Sequence, residues 1–287
     1  MENPMFAQGK PSLALAAAQK PTRPVLRPLE GRAAIVTGST SGIGWGIARA
    51  LAEAGAAVML NGLSDKTEAE LLRSSLSDSC DVDVGYSDAD MSMPHAIRSM
   101  AEAAAARFGT VDIVVNNAGI QHVSPLENFP PEKWEQIMAI NLSSAFHLVR
   151  AVFAGMKERK FGRIVNISSA HGLVASPFKS AYVAAKHGIV GFTKVAALEG
   201  AEAGVTANAI CPGYVWTPLV EKQIDDQAKS HNIPRDQVIR DVLLVNQPNK
   251  RFATVEEIGA LTVFLCSDMA ASITGTAIPV DGGWTAH

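Results

Sequence analysis

Short apolar runs alternate with longer helical patterns along most of the chain. AAIVTG (33–38), AVML (57–60), VDVGY (82–86), VDIVVNNAG (111–119), RIVNISS (163–169), VTANAICPG (205–213) and TAIPVDGG (276–283) read as strands. Their apolar character is continuous rather than alternating, which predicts strands covered on both faces. Helical patterns fill the gaps: one ending near Ala54 with Gly55 as its stop, then 66–78, 94–107, 130–159, 179–203 and 255–267. Pro130 and Pro131 suit the start of the longest of these.

Strands that alternate with helices predict an α/β fold: a single, doubly wound, parallel sheet of the Rossmann type, with helices on both faces and right-handed crossovers. Ligands in such sheets bind beyond the carboxyl ends of the strands, where strand order reverses. The unusual residues sit at those ends: Gly38 to Gly44, Asn116 to Gly119, Ser168–Ser169 and Pro212–Gly213. Residues 214–250 are long for a connector and carry a helical pattern interrupted by Pro234, which predicts a helical lid over a substrate. Residues 31–287 form one domain on this reading. The first thirty residues differ, with Pro4, Pro11, Pro21, Pro24 and Pro28 around a short apolar stretch, SLALAAA. That stretch is at the short limit for a signal peptide, and a basic transit peptide is an alternative. A poorly ordered extension is the preferred expectation.

Composition narrows the function. A net charge of −3 over 287 residues offers no basic field for a nucleic-acid backbone. No run of eighteen apolar residues occurs, so no membrane-spanning helix is expected. Cys80, Cys211 and Cys266 are odd in number and far apart, which fits neither a metal site nor a disulfide framework. A reducing, cytoplasmic location follows as an expectation. The seven histidines show no zinc-ligand spacing, and no metal is expected.

Two stretches carry chemistry. Thr37-Gly38-Ser39-Thr40-Ser41-Gly42-Ile43-Gly44 follows a strand and opens a helix. Glycines there let the backbone approach a pyrophosphate, and the helix start offers free N–H groups. SAHGLVASPFKSAYVAAK (169–186) holds Ser169, Tyr182 and Lys186. Four-residue spacing puts Tyr182 and Lys186 on one helix face. A phenol beside an ammonium can run acid–base chemistry near neutrality, since the cation favours the phenolate and lowers the phenol pKa.

The glycine turn matches TGxxxGxG, and with NNAG (116–119), Asn141, Ser169, YxxxK (182–186) and Pro212–Gly213 it resembles the short-chain dehydrogenase/reductase family over about residues 30–287. The resemblance implies hydride transfer between a carbinol and a nicotinamide. Tyr182 is then the acid/base, Ser169 orients the substrate oxygen, Lys186 also holds the nicotinamide ribose, and Asn141 holds a water in a proton relay. It places Gly38, Ser41, Gly42, Ile43, Gly44, Leu63, Asp90, Met91, Asn117, Ala118, Gly119, Tyr182, Lys186, Pro212, Gly213, Val215 and Thr217 against the cofactor. The second strand ends Asn61-Gly62-Leu63, with neither a carboxylate for the ribose nor a basic group for a 2′-phosphate. Absence of the basic partner favours NAD over NADP.

HGLVASPFKSAYVAAKHGIVGFTK (171–194) and PGYVWTPLVEKQI (212–224) resemble the branch of that family whose members oxidise D-3-hydroxybutyrate. The likeness implies that Gln121, His171, Lys179 and Gln223 surround a small hydroxy acid's carboxylate beside Ser169 and Tyr182. Tyr214 and Trp284 would pack near its methyl end. Physically, a lysine, two amides and an imidazole are suitable donors. An acyl-thioester or general ketone reductase using NADPH is the alternative enzyme reading. A nucleotide-binding protein without turnover is the alternative from another class. Family members are usually tetramers, and a homotetramer is expected through 130–158, 180–202 and the C-terminal strand.

Overall fold

A computed structural model describes residues 27–286. The expectation for the extension falls largely outside them. The elements are β1 (Ala33–Val36), α1 (Gly42–Glu53), β2 (Ala57–Asn61), α2 (Lys66–Cys80), β3 (Val84–Ser87), α3 (Pro94–Phe108) and β4 (Ile113–Asn116). Then come α4 (Pro131–Met138), α5 (Ser144–Glu158), β5 (Gly162–Ile167), α6 (Ser180–Gly200) and β6 (Val205–Pro212). The chain ends with α7 (Pro218–His231), a short α8 (Arg235–Gln237), α9 (Val255–Cys266) and β7 (Ala277–Val280). The strands form one parallel sheet in the order β3-β2-β1-β4-β5-β6-β7. Strand order reverses between β1 and β4, so the cleft opens at their carboxyl ends.

The continuous apolar runs have a direct cause. Ala34 and Val36 of β1 face one core with Ile47 and Leu51 of α1 and Ile258 and Leu265 of α9. Ile35, between them, faces a second core with Ile97 of α3 and Leu148 and Met156 of α5. The central strands are buried on both sides, so most of their positions are apolar. Several helix starts are legible: Pro94, Pro131 and Pro218 stand at N1 or N2, and Thr254 forms a capping box with Glu257. Gly55 follows α1 with φ +99°.

Two expectations need correction. The pattern 130–159 predicts one helix, whereas a π-helical turn at Ala139–Ser143 separates α4 from α5. There the carboxamide of Asn141 accepts from Ile120 N and donates to Ile120 O, both at 2.9 Å. A side chain bonded to another segment disrupts the regular ladder at that point. Second, Pro131–Glu158 as a whole is long and apolar enough, by length and composition, to cross a membrane. Its apolar stripe, Ala145, Leu148, Val149, Val152 and Met156, is buried against the sheet and α3.

The 214–250 segment has its own small core of Ile224, Val238 and Leu243, against which Tyr214, Val220, Ala228 and Phe252 pack. Pro234 precedes α8, which runs into a π-helical turn at Val238–Leu243.

A buried polar ladder joins the central strands to α6. Asn116 Nδ2 donates to Asn166 Oδ1 at 2.7 Å, Asn166 Nδ2 to Thr193 Oγ at 2.8 Å, and Thr193 Oγ to Ile189 O at 2.7 Å. It fixes α6 on the sheet from within. Asn166→Ala strips a buried donor and a buried hydroxyl of their partner and lowers stability by about 2–4 kcal/mol in chemical denaturation. A loss under about 0.5 kcal/mol would contradict this role for the ladder.

Candidate active site

The turn after β1 lines one wall of a cleft of about 810 Å³ with Gly38, Ser41, Gly42, Ile43 and Gly44. Gly38 and Gly42 have φ of +60° and +54°, backbone that favours glycine. A Cβ on Gly44 would lie 2.2 Å from Gly38 O, so no side chain fits there. No side chain caps the first turn of α1, which leaves its N–H groups free for an anion. This geometry fits a dinucleotide's phosphates.

The turn is held from below by Thr37 and Asn61, which the sequence analysis left without a role, and by Asn117. Thr37 Oγ accepts from Asn117 N and Ala118 N, both at 3.0 Å. Asn117 Nδ2 donates to Thr37 O and Gly38 O. Asn61, at the end of β2, is buried and fully used: Oδ1 accepts from Gly38 N, and Nδ2 donates to Ser87 O and Ala89 O. Beyond it Gly62, Leu63, Asp90 and Met91 line the cleft. Ala118, Gly119, Gln121, Pro212, Gly213 and Thr217 complete the far side. Thr217 Oγ caps α7, accepting from Val220 N. Val215 departs from expectation. Its side chain is buried in the core with Ile210 and Ala253 and does not line the cleft, because its backbone pairs with Ala253 as an isolated parallel bridge.

Ser169, Tyr182 and Lys186 come together at the floor of this cleft. Ser169 caps the 3-10 turn after β5, its Oγ accepting from His171 N at 3.1 Å. Tyr182 and Lys186 follow one helical turn apart on α6, and Lys186 Nζ lies 5.6 Å from the Tyr182 ring centroid. Lys186 is only 4% exposed and donates from Nζ to Ile167 O at 2.7 Å. Ser168 Oγ donates to Lys186 O at 2.9 Å, so β5 and α6 are joined twice here. Burial pulls the Lys186 ammonium down to about 8. Burial pushes the Tyr182 phenol up from its ordinary value, while its hydrogen bond with Ser169 acts in the opposite direction. In the protein alone the Lys186 ammonium is turned to the Ile167 carbonyl, and desolvation of the phenol prevails. Asn141 is buried behind Gly119, its carboxamide committed to Ile120.

Beside Tyr182 the sequence candidates form an aromatic cluster. The His171 ring stands edge-on to Tyr182, centroids 6.0 Å apart, and edge-on to Trp284 at 5.1 Å. Tyr214 stacks on Trp284 at 6.1 Å with 7° between planes. His171 is buried, and Nε2 lies 2.8 Å from Ser176 Oγ. Desolvation first, then the nearby positive charge of Lys179, lowers its pKa to about 4. Lys179 stands half-buried at the N-terminus of α6, its own pKa lowered by burial. Gln223 stands apart. It is exposed on α7, whose inward position is the adjacent Ile224. Among the described residues no group of His, Cys, Asp and Glu is arranged to hold a metal ion.

Comparison with known proteins gives the family. The family model described as enoyl-(acyl carrier protein) reductase matches residues 38–285. The chain is 55% identical over 256 residues to the D-beta-hydroxybutyrate dehydrogenase of Rhizobium meliloti, covering 89% of this chain and 99% of that one. It is 54% identical over 261 residues to the D-beta-hydroxybutyrate dehydrogenase of Cupriavidus necator, covering 90% of this chain and 100% of that one. A solved structure from Sinorhizobium meliloti 1021, provisionally described as a short-chain alcohol dehydrogenase, superimposes with a TM-score of 0.80 at 36% identity, over 91% of this chain and 99% of that one. The chain belongs to the short-chain dehydrogenase/reductase family of oxidoreductases.

The state of His171 is measurable. Its pKa is depressed from 6.5 to about 4, so in that window the unfolded chain binds a proton that the folded chain refuses. Stability therefore falls as pH falls from 6.5 to 4, by on the order of 3 kcal/mol from this group. In His171→Gln the drop in Tm between pH 7 and pH 4.5 shrinks. An unchanged drop would contradict a buried neutral imidazole.

Proposed function

We propose that the protein interconverts (R)-3-hydroxybutyrate and acetoacetate with NAD, using Tyr182 as the acid/base. The observation that carries the substrate is Lys179, a half-buried cation whose charge reaches His171 beside Tyr182. A small acid's carboxylate supplies the counter-charge that Lys179 lacks among the described residues. The names borne by the relatives from Rhizobium meliloti and Cupriavidus necator point the same way.

The cofactor reading rests on charge. Among the described residues lining the cleft, Lys186 is the sole lysine or arginine, and it lies at the floor rather than beside Gly62 and Leu63. A 2′-phosphate would find no cation there, which supports NAD over NADP. Gly38 to Gly44 and the start of α1 hold the pyrophosphate, Leu63, Asp90 and Met91 flank the adenosine, and Asn117 to Gly119 with Pro212, Gly213 and Thr217 flank the rest. Val215 supports this wall through its backbone.

When bound, the nicotinamide supplies the hydride acceptor and a positive charge near the phenol. Tyr182 takes the carbinol proton at its phenolic oxygen in oxidation and returns it in reduction. Ser169 donates to the substrate oxygen and fixes its distance from Tyr182. Lys186, with two N–H groups beyond the one on Ile167 O, holds the nicotinamide ribose and favours the phenolate. Asn141 marks the entry of the proton relay at the π-helical turn. Gln121, His171 and Lys179 hold the carboxylate, Gln223 joins them when 214–250 closes, and Tyr214 with Trp284 bounds the methyl end. A cytoplasmic location fits three free thiols. Phe146, Val195 and Leu198 are exposed on α5 and α6, and these faces meet second copies of the chain in a homotetramer.

Tyr182→Phe lowers kcat/KM for 3-hydroxybutyrate by about a thousandfold or more while NADH binding stays within about twofold by fluorescence titration. Near-normal turnover in that variant would remove Tyr182 from the chemistry. The same assay run as 3-hydroxybutyrate with NAD against acetoacetyl-CoA with NADPH favours the first pair. The reverse preference would move the assignment to thioester reduction.

A further inference from the structure

His171 is buried, its ring edge-on both to Tyr182 and to Trp284. Its imidazole is neutral near pH 7, because burial and the Lys179 charge oppose protonation. A neutral imidazole has one donor nitrogen and one acceptor nitrogen, and the partner of one decides the role of the other. Nε2 is engaged by Ser176 Oγ at 2.8 Å. Nδ1 has no hydrogen-bond partner among the described residues and is the nitrogen left for a ligand.

Ser176 sits in the loop between the 3-10 turn Ala170–Gly172 and α6. The far end of that loop is fixed: Ser124 N donates to Phe178 O at 2.9 Å, and Phe178 is held at φ +68°. A bulky residue there is strained, and such strain persists only where the surroundings over-determine the shape. The loop thus delivers the Ser176 hydroxyl to the ring as a fixed partner. That hydroxyl has one hydrogen to give and no other acceptor among the described residues.

We infer that Ser176 is a positioning residue: its hydroxyl donates to Nε2 of His171, holds the ring as the Nδ1–H tautomer, and so presents a donor to the substrate carboxylate. The inference rests on the hydroxy-acid reading for its last clause alone. A carboxylate only accepts, so the opposite tautomer would set a lone pair against it. Ser176 thereby selects for acids at a distance, without touching substrate itself.

The tautomer is read directly in the substrate-free protein at pH 7 by long-range proton–nitrogen NMR correlation of the imidazoles, with His171 assigned by the loss of its signals in His171→Gln. The wild type shows Nδ1–H, Ser176→Thr keeps it, and Ser176→Ala gives Nε2–H or a mixture. In Ser176→Ala, KM for 3-hydroxybutyrate rises about tenfold while kcat and NADH affinity stay within about twofold, and Ser176→Thr restores KM. A wild-type Nε2–H tautomer, or an unchanged tautomer in Ser176→Ala, overturns the role of Ser176 even where 3-hydroxybutyrate is oxidised. Absence of 3-hydroxybutyrate turnover alongside the expected tautomer change would refute the substrate reading and leave the positioning role standing.

Discussion

A lysine ammonium buried at the end of the central sheet sets the terms for the rest of the molecule. Burying such a charge costs several kcal/mol unless its donors are satisfied. Lys186 meets this in part by donating to Ile167 O, while Ser168 returns a bond to Lys186 O. Strand β5 and helix α6 therefore meet at a fixed place and rotation. Tyr182, one turn earlier on α6, inherits its position from that joint, and Ser169, one residue beyond Ser168, inherits its own. The positions of the three side chains follow from one buried contact rather than three separate placements.

The scaffold protects that contact from both sides. The Asn116–Asn166–Thr193 ladder holds α6 further along its length, and apolar cores above and below the sheet leave β4 and β5 little freedom to slide. The glycine turn is secured in the same manner, with Thr37, Asn61 and Asn117 binding its backbone from beneath. Polar side chains at the strand ends thus act as tie-points, and the glycines above them remain bare for a ligand.

Much of this was legible in the chain. Strands buried on both faces read as unbroken apolar runs, and the Gly38–Gly44 turn and the Tyr182–Lys186 spacing carry their geometry locally. What escaped depends on distant partners. The strand pattern 111–119 does not mark Asn116 as the last paired residue, after which Asn117, Ala118 and Gly119 leave the sheet to line the cleft. Asn61 reads as a missing acid, and its three bonds become visible only beside Ser87 and Ala89. The π-helical turn at Asn141 needs Ile120, twenty-one residues away. Val215 faces a core instead of the cleft because Ala253 pairs with it from beyond the lid. Ser176 is an ordinary loop serine until His171 is placed against it.

On the proposed reading the chemistry of the site divides along the same stretch of chain: Ser169, Tyr182 and Lys186 act on a carbinol of any kind, while His171 and Lys179, interleaved with them, ask for an acid. The central claim is that one hand of one short hydroxy acid satisfies both sets. Initial rates of NAD reduction with paired (R)- and (S)-3-hydroxybutyrate test it most directly. Turnover of the R form alone is the outcome the account predicts, and turnover of S alone, or of neither, would contradict it.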